Sequence, residues 1–337
     1  MPWVADVQRL LIRAPNWLGD AVMAIPAMAA VRRAFEGKTI VLAAVASIAP
    51  LFEEETPIRP DEILTIDRAR ETAQLRQARA DAILLLPNSF GSAWVARRSG
   101  IHERWGYRAS GRGWLLTRGA PTPRAAVHQV QYYLELVRAL EIGSPVDQDA
   151  RPRIVPGPPT LAKADTILAD AGLSPADTIV GFAPGAAYGH AKQWPTDRVA
   201  QLIAELARRG AASVLLGAGA DRDTGRAIES SLPPGTRVAN LIGRTTLRQL
   251  VGVIARCAAF VSNDSGAMHI AAAAGVPLTA IFGPTDERVT APAGHADVIL
   301  RDVFCRPCML HECPIDHRCM KRIDVDAVLQ SVLGHLA

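Results

Sequence analysis

Short apolar runs and longer amphipathic stretches alternate along most of the chain. Apolar runs of about four to eight residues are typical of buried strands, and apolar residues at spacings of three and four are typical of helices. We predict strands at residues 7–14, 39–46, 63–66, 82–86, 178–182, 213–216, 258–261 and 278–282. We predict helices at residues 21–35, 71–78, 128–140, 160–171, 196–209 and 267–274. This alternation predicts an α/β fold built on parallel sheets.

The chain is long enough for two domains. It has 337 residues, of which 49% are hydrophobic and 5% aromatic, a composition that favours helices packed on parallel strands over a β-sandwich. Proline and glycine are concentrated between residues 141 and 159, which makes this stretch the best candidate for a linker. We therefore predict a first domain at 1–158, a second domain at 159–322 and a final helical segment at 323–337.

Polar, glycine-containing loops follow several of the predicted strands. In the first half they lie at residues 13–20 and 87–92, and in the second half at 185–192, 217–223 and 263–269. The carboxyl ends of parallel strands share one edge of a sheet, where open α/β folds bind ligands. Loop 13–20 lacks the G-x-G-x-x-G spacing of a dinucleotide fingerprint. The three loops of the second half nevertheless predict a nucleotide pocket.

The loop from Asn263 to Gly266 leads directly into a helix of small residues. A helix start presents unpaired backbone N–H groups and the positive end of the helix dipole, which together attract anions. Lys192 brings a flexible cation to the same predicted edge. These features indicate a diphosphate site, and an ordinary capped helix beside a solvated loop is the alternative. Asp221 or Asp223 is expected either to bind ribose hydroxyls or to cap the next helix.

Asp20 ends the loop at residues 13–20 and stands just before the predicted helix 21–35. A carboxylate in this position can cap the helix by accepting a backbone N–H. It can equally serve as a catalytic base, because it lies at the carboxyl edge of the first predicted sheet. The residues alone leave both interpretations open.

Arginine is concentrated between residues 97 and 124, with Trp105, Tyr107 and Trp114 interleaved. Guanidinium groups bind phosphates and carboxylates, so the stretch is either a surface for anionic ligands or a solvated loop. The net charge of +4 is too small to indicate nucleic acid binding by itself, and it suits an anionic substrate or membrane surface. The arginines are Arg97, Arg98, Arg104, Arg108, Arg112, Arg118 and Arg124.

The sequence predicts a cytoplasmic protein. Its first residues lack a basic region followed by an apolar one, and the apolar run at 21–31 is too short to cross a bilayer and contains Pro26. Four of the five cysteines lie within residues 305–319, and a reducing cytoplasm disfavours structural disulfides. We favour reduced thiols, with a structural zinc site and redox use as alternatives. The four are Cys305, Cys308, Cys313 and Cys319.

Several segments together resemble the ADP-heptose:lipopolysaccharide heptosyltransferases. They are residues 13–20, 184–187, 192–195, 263–269 and 305–319. The resemblance covers nearly the whole chain and is strongest to members that add the second heptose of the inner core. It implies a GT-B glycosyltransferase fold, in which two Rossmann-like domains face each other across a cleft. It also implies an acceptor site in the first domain, an ADP-sugar site in the second, and a final helix that packs back on the first domain.

The resemblance implies an inverting transfer of L-glycero-D-manno-heptose from ADP-heptose, with Asp20 as the base. Lys192 and the backbone at Ser265 and Gly266 would stabilise the departing diphosphate, so that no metal is required at the phosphates. Asp264 would repel phosphate and is therefore assigned to heptose hydroxyls or loop structure. The predicted donor residues are Gly185, Ala186, Ala187, Lys192, Asp223, Asp264, Ser265, Gly266 and His269.

The acceptor implied by the resemblance is a Kdo–lipid A glycolipid that bears one heptose. Its phosphates and carboxylates suit the arginine-rich stretch, and its lipid implies that the enzyme works peripherally at the inner leaflet of the cytoplasmic membrane. The predicted acceptor residues are Asn88, Ser89, Arg97, Arg98, Arg104 and Arg108.

Three other functions are compatible with parts of the sequence. Heptosyltransferases that add the first heptose share the same loops. Another enzyme of the same architecture would be a UDP-sugar 2-epimerase, which needs no acceptor, or a transferase that uses a different nucleotide-sugar. A basic, zinc-containing module could bind nucleic acid through residues 97–124, but the sequence lacks aromatic–basic RNA motifs, and we expect no nucleic acid partner.

Overall fold

The computed structural model describes residues 6–143, 150–186 and 189–337. The chain divides into two compact units, Met1–Val155 and Pro156–Ala337. The division predicted from the sequence lies between residues 158 and 159. Each unit holds one six-stranded sheet whose strands all pair in parallel. The predicted α/β class is therefore confirmed.

Across its described residues, the first unit is a sheet covered by five α-helices. Its strands are β1 (Arg9–Arg13), β2 (Thr39–Val45), β3 (Glu62–Ile66), β4 (Ala82–Leu85), β5 (Glu103–Tyr107) and β6 (Arg118–Ala120). Its helices are α1 (Leu18–Met23), α2 (Ile25–Ala34), α3 (Glu71–Gln77), α4 (Phe90–Ser99) and α5 (Gln129–Ala139). The strand order is β3-β2-β1-β4-β5-β6, so the direction of winding reverses between β1 and β4. Ligands of such sheets bind at this reversal.

The second unit repeats this arrangement. Its strands are β7 (Ile179–Ala183), β8 (Ala212–Leu215), β9 (Val238–Asn240), β10 (Ala259–Asn263), β11 (Leu278–Ile281) and β12 (Ala296–Ile299). Its helices are α6 (Pro158–Asp170), α7 (Thr196–Ala207), α8 (Arg222–Ser230), α9 (Leu247–Ala255), α10 (Gly266–Ala273), α11 (Glu287–Thr290), α12 (Arg318–Lys321) and α13 (Val325–Leu336). The strand order is β12-β11-β10-β7-β8-β9, and the winding reverses between β7 and β10.

The central strands are apolar on both faces because helices cover both sides of each sheet. In β1, Leu10, Leu11 and Ile12 have no exposed surface, and Val180 and Phe182 of β7 are equally buried. These continuous apolar runs are the strands that the sequence predicted. The short strands β5, β6, β9 and β12 were not predicted, because they are only three to five residues long and carry polar residues.

The arginine-rich stretch contains β5 and β6 and is not a solvated loop as a whole. Trp105 and Tyr107 of β5 are buried. The last three residues of β5, Trp105, Gly106 and Tyr107, are all buried, and only Glu103 and Arg104 at its start are partly exposed. The solvated-loop alternative is therefore wrong for this part of the stretch.

The predicted helix at 21–35 is two helices, α1 and α2, which meet at Ala24. Pro26 has no backbone N–H and so cannot donate to the carbonyl of Val22, which ends the first helix. The shorter α1 keeps Asp20 in its first turn.

The C-terminal helix α13, predicted as part of a separate final segment at residues 323–337, lies in the second unit. Val328, Leu329 and Val332 lie in the hydrophobic core of that unit, and the helix packs on α7, β10 and β11. Thr279 of β11 and Ser331 of α13 are joined by a hydrogen bond of 2.7 Å between their hydroxyl oxygens. The apolar side of helix α13 therefore completes the core of the second unit. Among the described residues, none of the helices has both the length and the apolar character that crossing a bilayer requires.

Gly181, in the middle of β7, is predicted to be intolerant of a side chain. A Cβ at this position would clash with the ring of Phe260 and lie 2.8 Å from Cys257 Sγ. We expect Gly181→Ala to lower the free energy of unfolding by about 1–3 kcal/mol through overpacking. Gly91→Ala in α4 is the matched control, because nothing lies within 4 Å of its Cβ position. Urea denaturation of both variants checks this, and equal stability of the two would contradict it.

Candidate active site

A buried ion pair joins two loops at the winding reversal of the second sheet. Lys192 follows β7 and Asp264 follows β10, and Lys192 Nζ lies 2.6 Å from Asp264 Oδ2. Their side chains are only 12% and 7% exposed. Thr285, in the loop after β11, donates its hydroxyl to the same Asp264 oxygen at 2.8 Å. Three strand-end loops thus converge on one carboxylate oxygen.

Asn263, at the end of β10, fixes the loop that follows β7. Its amide nitrogen donates to the carbonyl of Pro184 at 2.6 Å, and its amide oxygen accepts from the backbone N–H of Trp194 at 3.2 Å. The indole of Trp194 is buried and donates to the carbonyl of Ile323. The loop that carries Lys192 is therefore fixed at both ends.

Helix α10 begins at this cluster with its N-terminus uncapped by a side chain. Ser265 is the N-cap residue, but its hydroxyl lies 3.0 Å from the Ser262 hydroxyl and makes no side-chain cap hydrogen bond. The first backbone N–H groups of the helix, starting at Gly266, can therefore donate to an anion. His269 lies one turn further along and is buried. The sequence-predicted residues Lys192, Asp264, Ser265, Gly266 and His269 are thus brought together.

Asp221, rather than the predicted Asp223, reaches the loop after β7. Its carboxylate accepts the backbone N–H of Ala218 at 2.9 Å and occupies the space beside Gly185, where any Cβ would collide with it. Burial raises the pKa of Asp221, and backbone hydrogen bonds from Ala218 and Ala186 oppose this rise. Asp223 instead lies on the exposed side of α8, where its side chain is 86% exposed and pairs with Arg226.

The remaining predicted donor residues lie in the loop after β7. Gly185 and Ala186 come after Pro184, the first residue beyond the strand, and both are buried. Ala187 lies outside the described residues. Gly185 is the position at which a side chain would displace the carboxylate of Asp221.

The cysteine-rich segment, residues 305–319, forms hydrogen bonds with the loops after β7 and β11 and so braces them. The carbonyl of His311 accepts the backbone N–H of Ala191 at 3.0 Å, and the imidazole Nε2 of His317 lies 2.6 Å from the carbonyl of Ala191. The backbone N–H of Met309 donates to the carbonyl of Pro284 at 3.0 Å. The segment therefore contacts both the loop that carries Lys192 and the loop that carries Thr285.

The four clustered cysteines are free thiols in the structure. Burial raises the pKa of Cys319; a backbone hydrogen bond from Met320 opposes this rise, and the neighbouring thiols add to it. The backbone N–H of His317 donates to Cys313 Sγ at 3.3 Å. Within residues 6–143, 150–186 and 189–337, no group of three or more His, Cys, Asp or Glu side chains is arranged to hold a metal ion.

In the first unit, Asp20 lies where β1 gives way to α1, beside the winding reversal of the sheet. The preceding loop is organised by Arg13, which is buried and paired with Glu71 at 2.7 Å. Arg13 also donates to Asn16 Oδ1 at 2.9 Å. Burial raises the pKa of Tyr133, and the negative charge of Asp20 adds to this rise.

The loop after β4 is organised by Arg112, which is not among the predicted acceptor residues. Its guanidinium has no exposed surface and donates to the carbonyls of Pro87 and Tyr107 and to Asn88 Oδ1. Burial lowers the pKa of Arg112 to about 10. Asn88 in turn donates to the hydroxyl of Tyr132 at 2.7 Å. No sequence pattern distinguished this arginine from its neighbours.

The predicted acceptor residues do not form one cluster. Asn88 and Ser89 lie at the carboxyl end of β4, and Ser89 caps α4 by accepting the N–H of Ser92 at 3.2 Å. Arg97 and Arg98 lie in the last turn of α4, about 12 Å further along the helix from Ser89. Two further arginines lie on or beside β5: Arg104 donates to the backbone carbonyls of Ile101, His102 and Leu115, and Arg108 follows the carboxyl end of the strand.

Comparisons with known proteins identify relatives over most of the chain. The model for "Glycosyltransferase family 9 (heptosyltransferase)" matches residues 68–318. Lipooligosaccharide heptosyltransferase 2 of Haemophilus influenzae is 32% identical over 87% of this chain and 88% of its own length. Lipopolysaccharide heptosyltransferase 2 of Salmonella typhimurium is 30% identical over the same shares. The solved structure of ADP-heptose LPS heptosyltransferase II from Escherichia coli superposes with a TM-score of 0.85 at 29% identity, covering 97% of this chain and 98% of that one.

The Lys192–Asp264 pair is predicted to be strongly coupled in stability. Asp264→Ala leaves a buried ammonium without its carboxylate and should cost about 3–5 kcal/mol, and Lys192→Met leaves a buried carboxylate. The double variant should be more stable than the sum of the two single losses predicts, because it removes both charges. Urea denaturation of the four proteins measures the coupling. Additive losses would show that the two groups do not interact.

Proposed function

This chain belongs to glycosyltransferase family 9 (heptosyltransferase), and on that premise we propose that it transfers L-glycero-D-manno-heptose from ADP-heptose to the first heptose of the lipopolysaccharide inner core. The observation that carries the proposal is the convergence of Lys192, Asp264 and Thr285 at the winding reversal of the second sheet. The relatives that match 87% of the chain are heptosyltransferases 2, which supports the second heptose over the first.

In this proposal the second unit binds ADP-heptose. The N–H groups that open α10 at Gly266 and the ammonium of Lys192 neutralise the diphosphate, whose negative charge increases as it departs. These groups supply the positive charge from the chain itself, and the proposal includes no metal at the phosphates. Asp264 orients Lys192 and binds heptose hydroxyls, and His269 lines the same loop.

The first unit supplies the base. As the acceptor hydroxyl oxygen forms its bond to the anomeric carbon, Asp20 takes the hydroxyl proton, and the bond from that carbon to the ADP oxygen breaks. Attack from the face opposite ADP inverts the anomeric centre. The location of Asp20 beside the winding reversal of the first sheet supports this role.

The acceptor is a Kdo–lipid A that bears one heptose. Asn88, Ser89 and Arg108 lie at or just beyond the carboxyl ends of β4 and β5, which supports contact with its anionic sugars. Because the acceptor is anchored in a bilayer, the enzyme works in the cytoplasm at the inner leaflet of the membrane. For Arg97, Arg98 and Arg104 the geometry offers no such support, and their acceptor role stays a prediction.

Asp20→Asn is predicted to lower turnover strongly while leaving donor binding intact. Removing a general base lowers kcat by about 10²–10⁴-fold, whereas the donor contacts lie in the second unit. ADP release from ADP-heptose with a mono-heptosylated Kdo–lipid acceptor measures turnover, and calorimetric titration with ADP measures donor affinity.

The same assay separates the alternatives. If the wild-type protein released ADP only with the heptose-free acceptor, it would add the first heptose instead. If it bound no ADP and used neither acceptor, the proposed function would be wrong.

The two neighbouring aspartates are predicted to differ in donor binding. Asp221→Asn should weaken ADP binding by about tenfold, because the neutral amide no longer accepts both backbone N–H groups that fix the loop at Gly185. Asp223→Asn is the matched control and should leave binding unchanged, since its side chain faces solvent. Equal losses in the two variants, measured by calorimetric titration, would contradict this assignment.

A further inference from the structure

Three aromatic side chains form an exposed cluster on the first unit. Phe90 and Trp94 of α4 stack with their ring centroids 6.3 Å apart, and Trp114 packs against Phe90 at 6.2 Å. Their exposed fractions are 43%, 41% and 63%. Single exposed apolar residues are common, but contiguous large ones mark interaction surfaces.

The cluster continues into a basic surface on the same helix. Phe90, Trp94 and Arg98 follow one another at a spacing of four, and Arg97 lies three residues after Trp94, so these side chains share one face of α4. Arg97 and Arg98 are exposed, and no carboxylate pairs with either among the described residues. Between residues 87 and 115 the chain has five arginines and one acidic residue.

That one acidic residue, Glu103, does not neutralise the surface. Its carboxylate accepts from the indole N–H of Trp105 at 2.9 Å and lies 3.3 Å from Arg118. The positive charge of Arg97 is felt at Arg104, whose pKa is lowered chiefly by burial and then by Arg97. The face is therefore aromatic at one end and uncompensated positive at the other.

We propose that this face, made by Phe90, Trp94, Trp114, Arg97 and Arg98, docks the protein on an anionic lipid bilayer. The inference rests on the proposed function, because a lipid-anchored acceptor requires the enzyme to work at such a surface. Indole rings favour the headgroup level, where their apolar body is buried and their N–H remains hydrated. Arginines one turn away reach lipid phosphates, and their charge complements the anionic leaflet.

The face has the dimensions of a shallow interfacial anchor. Helix α4 has ten residues and cannot span a bilayer, but it can lie in the interfacial plane with its aromatic residues inserted. The inward side of the helix, with Ala93 and Ala96, is buried in the first unit. The outward side is thus free to contact lipid without unfolding.

Vesicle sedimentation of the full chain tests the proposal. The probes are vesicles of phosphatidylcholine alone and of phosphatidylcholine with about one-third phosphatidylglycerol. Arg97→Gln with Arg98→Gln should lower partitioning onto anionic vesicles about 25-fold, at about fivefold per arginine. Trp94→Gln with Trp114→Gln should lower it at least about tenfold. Arg97 and Arg98 are exposed, so their double variant should keep the wild-type melting temperature. Trp94 and Trp114 pack against Phe90, so their double variant is compared with the wild type at a temperature at which circular dichroism shows both to be folded.

Matched controls come from exposed residues elsewhere in the chain. Arg33→Gln with Arg138→Gln removes the same charge from α2 and α5, and Phe304→Gln removes an aromatic side chain that is 79% exposed in the second unit. Both controls should partition within about twofold of the wild type. Equal losses in the controls, or no preference of the wild type for anionic vesicles, would overturn the proposal.

Two further outcomes separate this proposal from others. If the Trp94 and Trp114 substitutions dissociated a dimer in light scattering while no variant bound vesicles, the face would be an interface between copies of the chain and the proposal would fail. The vesicles contain neither donor nor acceptor, so vesicle binding without ADP release in the turnover assay would support the docking face and reject the proposed function.

Discussion

The arrangement of the loops in the second unit depends on the buried ion pair between Lys192 and Asp264. Bringing Lys192 and Asp264 into a buried position costs solvation energy, which their attraction offsets only when the geometry is good and the remaining hydrogen bonds are made. Thr285 supplies one such bond, and Asn263 fixes the backbone on either side of the pair. Three loops must therefore be in place together. This requirement gives the site its shape before any ligand binds.

The first unit also contains a buried charged side chain, but this one has no carboxylate beside it among the described residues. Arg112 is fully buried, and its hydrogen-bond partners are neutral carbonyl, amide and hydroxyl oxygens. Burial without an adjacent carboxylate lowers its pKa, yet the group remains charged at neutral pH. A positive charge held in a region of low polarity acts over a longer distance than one in water. The loop after β4 is thus both rigid and electropositive.

The sequence was a good guide wherever one local pattern determines the structure. Continuous apolar runs predicted the central strands, and the loops that follow them predicted that Lys192 and Asp264 lie at one edge of the second sheet. Prediction failed where tertiary contacts decide. Asp221 and Asp223 are two residues apart on the chain, and only the fold turns one towards Gly185 and the other to solvent. Thr285 also follows a predicted strand, but its hydrogen bond to Asp264 joins two loops that are separate in the sequence, so no local pattern could predict it.

The brace formed by the cysteine-rich segment has a thermodynamic consequence. Residues 305–319 contact the loop of Lys192 through Ala191 and the loop of Thr285 through Pro284. Coupling between two parts of a protein is reciprocal in free energy. If a ligand needs ordered loops, any change that destabilises the segment must lower the affinity for that ligand. Binding of the ligand must in turn raise the free energy of opening the segment, measured by hydrogen exchange, by the same amount.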